Sequence, residues 1–146
     1  MKLHKEIINA IIIFAGISLY FLAIDLLGFT NNHWLRLFNF FFVFLGVNLS
    51  LNSNIAEGKK GYGVNILSAI TTAFLGVVLS VISLVAFVNI KGGDGFIHKL
   101  PADLLFGGKP TANEFCLGVL FEGIASALIV VFLSIQYWRS KMAAQD

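Results

Sequence analysis

Charged residues and cysteine are scarce in this sequence. Only 12% of its 146 residues are charged and 58% are hydrophobic, whereas about a quarter of a soluble domain is charged. The single cysteine, Cys116, excludes an internal disulfide and any Cys-x-x-Cys redox or zinc site. The ten basic and eight acidic residues are spread over both ends and the loops, so we expect no basic face for nucleic acid. This composition indicates a chain surrounded by lipid.

Long apolar runs separated by short polar segments predict an all-α integral membrane protein with four transmembrane helices. We predict one domain, 1–146, with helices at about 7–28, 34–51, 62–90 and 112–137. The first two runs are so close in sequence that they should form an antiparallel hairpin. The third is about 43 Å long at 1.5 Å per residue, which exceeds a hydrocarbon core of about 30 Å, so it must tilt or protrude.

The distribution of basic residues predicts the orientation of these helices. Because the helices alternate in direction, both termini and the second connection share one side of the membrane. That side carries Lys2, Lys5, Lys59, Lys60, Arg139 and Lys141, whereas the other carries Arg36, Lys91, Lys99 and Lys109. The positive-inside rule therefore places both termini in the cytoplasm and the long loop, 91–110, outside. Within that loop, Pro101 and residues 102–106 predict a short helix in the membrane interface.

Two local patterns predict how the third and fourth helices pack and begin. Small residues recur every four positions along the third helix, which allows another helix to approach closely, because lipid supplies no hydrophobic force between helices. Thr111 lies three residues before Glu114, the spacing of a capping box in which each residue satisfies the other's backbone N–H. The small residues, which we call the helix-packing stripe, are Ser68, Thr72, Gly76 and Ser80.

Three charged residues lie inside or close to the apolar runs. Glu122 is about 12 Å deeper in the fourth helix than Glu114. Because an ionised carboxylate inside a membrane is costly, we expect Glu122 to be protonated, paired or next to a wet cavity. We interpret it as a structural residue that points into a helix interface, with proton or ion coupling as the alternative. Asp25 and Arg36 flank the first hairpin and are predicted to form a salt bridge across it.

The sequence offers little for catalysis or for holding a cofactor. His4, His33 and His98 all lie outside the apolar runs, whereas a bis-histidine haem needs paired histidines within its helices. Asp94 near His98 is only a weak pattern for a metal site. We find no Ser-His-Asp or Cys-His grouping, so we predict no cofactor, no metal and no enzymatic activity.

A Gly-rich basic turn, Gly58-Lys59-Lys60-Gly61-Tyr62-Gly63, opens the third helix. With the following residues, 64–69, it resembles small four-helix bacterial inner-membrane proteins that are grouped as a domain of unknown function. The resemblance implies a multi-pass protein of the bacterial inner membrane. It implies no activity, cofactor or site residue, because that family has none assigned.

The patterns favour a non-catalytic accessory or assembly subunit of a larger membrane complex. Its partners would be membrane lipids and other integral membrane subunits or a second copy, packed against the helix-packing stripe and the Glu122 face. The alternative is a small proton- or ion-coupled transporter that acts as a homo-oligomer through Glu122. An enzyme acting on lipid or quinone ranks last, because only loop 91–110 offers reactive residues.

Overall fold

A computed structural model of the protein describes residues 3–29, 33–59, 61–99 and 110–143. Of these described residues, 87% are helical and none forms a strand, which confirms the all-α prediction. In chain order the helices are α1 (Leu3–Leu26), α2 (His33–Arg36), α3 (Asn39–Ala56), α4 (Tyr62–Ile90), α5 (Asp94–Ile97) and α6 (Ala112–Ala143).

Three helices in the described residues are long and apolar enough to cross a membrane. They are His4–Leu26 within α1, Tyr62–Ile90, which is α4, and Ala112–Met142 within α6. Helix α3 is not among them, although the sequence predicts a span there. It has only 18 residues, and polar side chains interrupt its second half, namely Asn48, Ser50, Asn52, Ser53 and Asn54.

The helix bounds differ from the predicted ones except in α4, where 62–90 is the same in both. Helix α3 begins at Asn39 and continues to Ala56, so residues 52–56, predicted as part of a connecting turn, are helical. Asn54 in this segment is buried, and the Ser53 hydroxyl accepts a hydrogen bond from Lys5 Nζ at 3.1 Å. Tertiary partners thus stabilise a polar helical segment that hydropathy assigns to a loop.

The long loop contains one short helix among its described residues, α5 (Asp94–Ile97). The interfacial helix predicted from Pro101 lies outside the described residues. At the other end of this loop, α6 begins at Ala112 and extends to Ala143, past the predicted end at 137. Helix α6 therefore continues beyond the end of the apolar run.

Helix α4 lies at the centre of the bundle and packs against α1, α3 and α6, while α1 and α6 lie on opposite sides of it. Helices α1 and α4 run in the same direction. Phe21 packs edge to face on Phe87, and the Asp25 carboxylate pairs with Lys91 Nζ at 3.2 Å. We call the end of the bundle with Asp25 and Lys91 the loop end, and the opposite end, with Glu57 and Lys59, the turn end.

The closest packing in the bundle surrounds Ile13 of α1, which is wholly buried. Gly46 of α3 and Gly76 of α4 both face it. A Cβ added to Gly76 would lie 2.8 Å from Ile13 Cβ, and one added to Gly46 would lie 2.6 Å from Ile13 Cδ1. Both distances are shorter than van der Waals contact, so glycine is required at both positions for three helices to meet here.

The start of α6 is fixed by its own first residues and by a side chain of the long loop. The Thr111 N–H donates to Glu114 Oε2 at 2.8 Å, and the Glu114 N–H donates to Thr111 Oγ1 at 3.3 Å, which are the two bonds of a capping box. Asp94 Oδ1 also accepts a hydrogen bond from the Ala112 N–H at 2.6 Å. The beginning of the loop therefore binds the helix that follows the loop.

Replacing Thr111 by alanine should lower the free energy of unfolding by about 1 kcal/mol, because the Glu114 N–H loses its acceptor at a helix N-terminus. Thr111→Ser keeps the hydroxyl and serves as the control, with an expected change of less than about 0.5 kcal/mol. Unfolding of the purified protein in mixed detergent micelles, followed by circular dichroism, measures both. Equal losses in the two variants would mean that the hydroxyl does not stabilise the helix start.

Candidate functional site: a polar cavity beside Glu122

Asp25 joins α1 to α4 through its ion pair with Lys91 at the loop end. Lys91 Nζ also lies 5.4 Å from the centroid of the Phe87 ring, a distance at which the cation interacts favourably with the aromatic face. The side chain of Arg36 lies outside the described residues, so the Asp25–Arg36 salt bridge stays a prediction. The observed ion pair joins α1 to the end of α4, whereas the predicted one joins the first and second helices of the hairpin.

The helix-packing stripe faces the inside of the bundle. Ser68 Oγ donates to Glu6 Oε1 of α1, Thr72 Oγ1 lies 2.8 Å from Ser50 Oγ of α3, and Gly76 contacts Ile13. Because α4 is the central helix, α1 and α3 cover these three residues, which are buried. The close packing that the stripe predicts is therefore found within this chain, and a contact of the stripe with another subunit stays a prediction.

A cavity of about 330 Å³ lies between α1, α3, α4 and α6. Its polar lining consists of Asn39, Ser80, Glu122 and Ser126, which face apolar side chains that include Ile17 and Val77. Glu122 lines this cavity and is exposed. A position beside a cavity is one of the three environments expected for this carboxyl from the sequence, and its structural role in a helix interface stays a prediction.

Glu122 lies midway along the bundle. The next residue, Gly123, packs on Val77 so closely that an added Cβ would lie 2.8 Å from Val77 Cγ1. Val77 is at the centre of α4 (Tyr62–Ile90), and Glu122 is about 15 Å from the first residue of α6 at 1.5 Å per residue. If these helices cross a bilayer, the carboxyl lies near its midplane.

Asn39 contributes a buried acceptor to the same cavity. Its Oδ1 atom is buried and has no hydrogen-bond partner among the described residues. Ser80 Oγ, by contrast, donates to the Gly76 carbonyl of its own helix at 2.7 Å. The cavity thus combines a carboxyl, an amide and two hydroxyl groups with apolar walls, an arrangement that can bind a small polar group or water.

Polar side chains form a second cluster in the half of the bundle nearer the turn end. Asn9 Nδ2 donates to Ser50 Oγ at 2.8 Å, and the Ser50 hydroxyl hydrogen-bonds in turn to Thr72 Oγ1. Glu6 lies one turn further toward the end, and only 2% of its surface is exposed. Ile13, with its apolar neighbours, separates this cluster from the cavity beside Glu122.

Sequence analysis missed Glu6, because it precedes the predicted start of the first helix at residue 7. Helix α1 begins at Leu3 instead, which places Glu6 in its first turn. Residues 6, 9 and 13 share one face of this helix, and all three are buried. That spacing is the signal in the sequence from which Glu6 could have been found.

Charged side chains at the turn end bind each other on the surface. Lys5 Nζ forms an ion pair with Glu57, and Lys59 Nζ lies 3.0 Å from the second Glu57 oxygen. All three side chains are about one-third exposed. The two lysines are thus engaged by a surface carboxylate rather than by the buried Glu6.

Within the part of the chain that the structure describes, no group of three or more His, Cys, Asp or Glu side chains is placed to hold a metal ion. The absence of a cofactor and of enzymatic activity stays a prediction. Comparison with protein-family models, with curated proteins and with solved structures finds no match to this chain.

Proposed function

We propose that this protein is a non-catalytic accessory or assembly subunit of a larger membrane complex. In this proposal α1, α3, α4 and α6 cross the inner membrane of a bacterium, with both termini in the cytoplasm and the long loop outside. The basic residues favour this orientation. Helix α3 is about 27 Å long at 1.5 Å per residue, close to the thickness of a hydrocarbon core.

The observation that carries the proposal is the position of Glu122. Its side chain is exposed beside a polar cavity, about 15 Å from the start of α6 at 1.5 Å per residue. At this depth the exposed side of a carboxyl group is costly to leave against lipid, whereas a polar or small-residue face of another membrane helix would cover it. We therefore assign partner binding to this cavity and to the adjoining face of α6.

The alternative is a proton- or ion-coupled transporter that works as a homo-oligomer through Glu122. The cavity volume favours it, because about 330 Å³ holds several water molecules at about 30 Å³ each. A transport path also needs access from the turn end. There Ile13 is wholly buried against Gly46 and Gly76, and this dense layer favours the accessory function over transport.

Extraction of the tagged protein in a mild detergent, followed by native electrophoresis and mass spectrometry, tests the proposal. We expect the protein to migrate with a larger complex. Glu122→Gln should reduce the fraction in that complex about tenfold, because the loss of one charge-assisted hydrogen bond weakens binding by at least that factor. Ser126→Leu, which fills the cavity, should have a similar effect.

Leu128→Phe is the control, because Leu128 is exposed on α6, does not line the cavity and lies on another side of the helix from Glu122 and Ser126. It adds apolar bulk on the lipid-facing side and should leave the complex intact. If the wild type instead migrates alone as a homo-oligomer, and Glu122→Gln abolishes proton-coupled uptake in proteoliposomes, the accessory function is wrong and the transporter is right.

A further inference from the structure

Glu6 is a carboxyl group buried between α1 and α4. Only 2% of its surface is exposed, and Ser68 Oγ donates to its Oε1 atom at 2.8 Å. The other carboxyl oxygen, Oε2, is also buried and has no hydrogen-bond partner among the described residues. An ionised carboxyl can only accept hydrogen bonds, so one buried oxygen lacks the donor or cation that it requires.

Asn65 contributes a second buried acceptor on the side of α4 that carries Ser68. It is wholly buried, and it lies one helical turn from Ser68 on the same face of α4. Its amide nitrogen donates to the carbonyl oxygens of Lys59 and Gly61 at 2.8 and 2.9 Å. These bonds determine which way the amide is oriented. Its Oδ1 atom is buried without a partner in the described part of the chain.

No described basic side chain neutralises this pair of oxygens. Lys5 and Lys59 both bind Glu57, and His4 is exposed. Helix α4 brings only Asn65 and Ser68 to the site. From α6, Arg139 and Lys141 are exposed, and Lys141 Nζ lies 4.4 Å from the centroid of the Trp138 ring.

We propose that Glu6, Asn65 and Ser68 form a binding site for Na⁺. The ion would use the carboxyl, amide and hydroxyl oxygens, which are the ligands that hard cations prefer. Its single charge neutralises the buried carboxylate, and its ligands join α1 to α4. This site is separate from the cavity beside Glu122 and does not depend on the proposed function.

Thermal unfolding of the purified full-length protein in detergent micelles tests this site, measured against the NaCl concentration at constant pH, with choline chloride holding the ionic strength constant. Because Na⁺ binds the native state, saturating the site should raise the unfolding midpoint by several degrees above that in choline chloride.

Glu6→Gln removes the buried charge and keeps the shape, so it should abolish the response that the wild type shows. Glu57→Gln is the matched control, because it removes an exposed carboxyl at the same end of the bundle and should leave the response unchanged. The proposal is overturned if the unfolding midpoints of the wild type and of Glu6→Gln respond identically to Na⁺.

A second variant keeps the test decisive should Glu6→Gln not fold. Ser68→Ala removes the hydroxyl that donates to Oε1, and it should raise the Na⁺ concentration at which half of the stabilisation is reached. An unchanged half-saturating concentration in Ser68→Ala, or a wild type without any specific response to Na⁺, would equally overturn the site.

Discussion

Replacing Gly76 by alanine should lower the free energy of unfolding by about 2 kcal/mol, although alanine is the better helix former by up to about 1 kcal/mol. The added Cβ would lie 2.8 Å from the Ile13 Cβ and Cγ2 atoms. Ile13 Cβ is attached directly to the backbone of α1, so it cannot move aside as the tip of a flexible side chain can. Helices α1 and α4 must therefore separate, which weakens contacts along their whole length.

Gly63→Ala is the matched control for this loss. Gly63 also lies in α4, and a Cβ there would meet nothing within 4 Å. This variant should be neutral or slightly stabilising, because alanine favours the helix. Unfolding in mixed detergent micelles measures both substitutions. Equal stability in the two variants would mean that the contact between Ile13 and Gly76 does not limit the approach of the helices.

A double-mutant cycle tests whether Ile13 causes the loss of stability in Gly76→Ala. Ile13→Ala alone should lower the free energy of unfolding by about 2–5 kcal/mol, because it leaves a cavity where three helices meet. In that background Gly76→Ala should cost less than about 0.5 kcal/mol, since its methyl group enters the vacated space. Additive losses in the double variant would show that Gly76→Ala acts through another neighbour.

Replacing Ser50 by alanine should also destabilise the protein, with a loss of about 1–2 kcal/mol in the free energy of unfolding. The Ser50 hydroxyl lies between Asn9 Nδ2 and Thr72 Oγ1, each at 2.8 Å, so its removal leaves two buried polar groups without this partner. A single hydrogen bond between membrane helices averages only about 0.6 kcal/mol, and the expected loss therefore reflects two bonds.

Ser53→Ala is the control for Ser50, because it removes the same group from the same helix three residues further on. The Ser53 hydroxyl accepts a hydrogen bond from the partly exposed Lys5, which water can replace, so the loss should stay below about 0.5 kcal/mol. The double variant Ser50→Ala with Thr72→Val should be no less stable than Ser50→Ala alone, because it also removes the orphaned Thr72 hydroxyl. If Ser50→Ala matches Ser53→Ala, the buried polar chain contributes nothing measurable.

The accuracy of the sequence predictions followed the strength of the local signal. Helix α4 was predicted with its observed bounds, 62–90, because an uninterrupted apolar run lies between Gly61 and Lys91. Helix α3 was placed too early, because its polar second half is stabilised by contacts with α1, such as that between Ser53 and Lys5. A hydropathy pattern does not contain those partners.

The candidate site shows the same division between local and long-range information. That Glu122 lies inside an apolar run is visible in the sequence. The space beside it is created by α3 and α4, which bring Asn39 and Ser80 to α6. In the sequence, Glu6 precedes the predicted start of the first helix and shows no sign of burial. In the structure it packs against α4, where it accepts a hydrogen bond from Ser68, which is 62 residues away in the sequence.

The sequence by itself determined that the chain is helical and that residues with capping-box spacing precede α6. It predicted four transmembrane helices, of which α1, α4 and α6 are long and apolar enough to cross a membrane. These properties depend on composition and on neighbours within one or two helical turns. Only the tertiary structure decided that α4 is central, that α1 and α3 cover its helix-packing stripe, that Asp25 pairs with Lys91, and that Glu6 is buried while Glu122 is exposed. The reason is that a helix pattern shows which residues share a face, whereas the arrangement of the other helices determines what that face contacts.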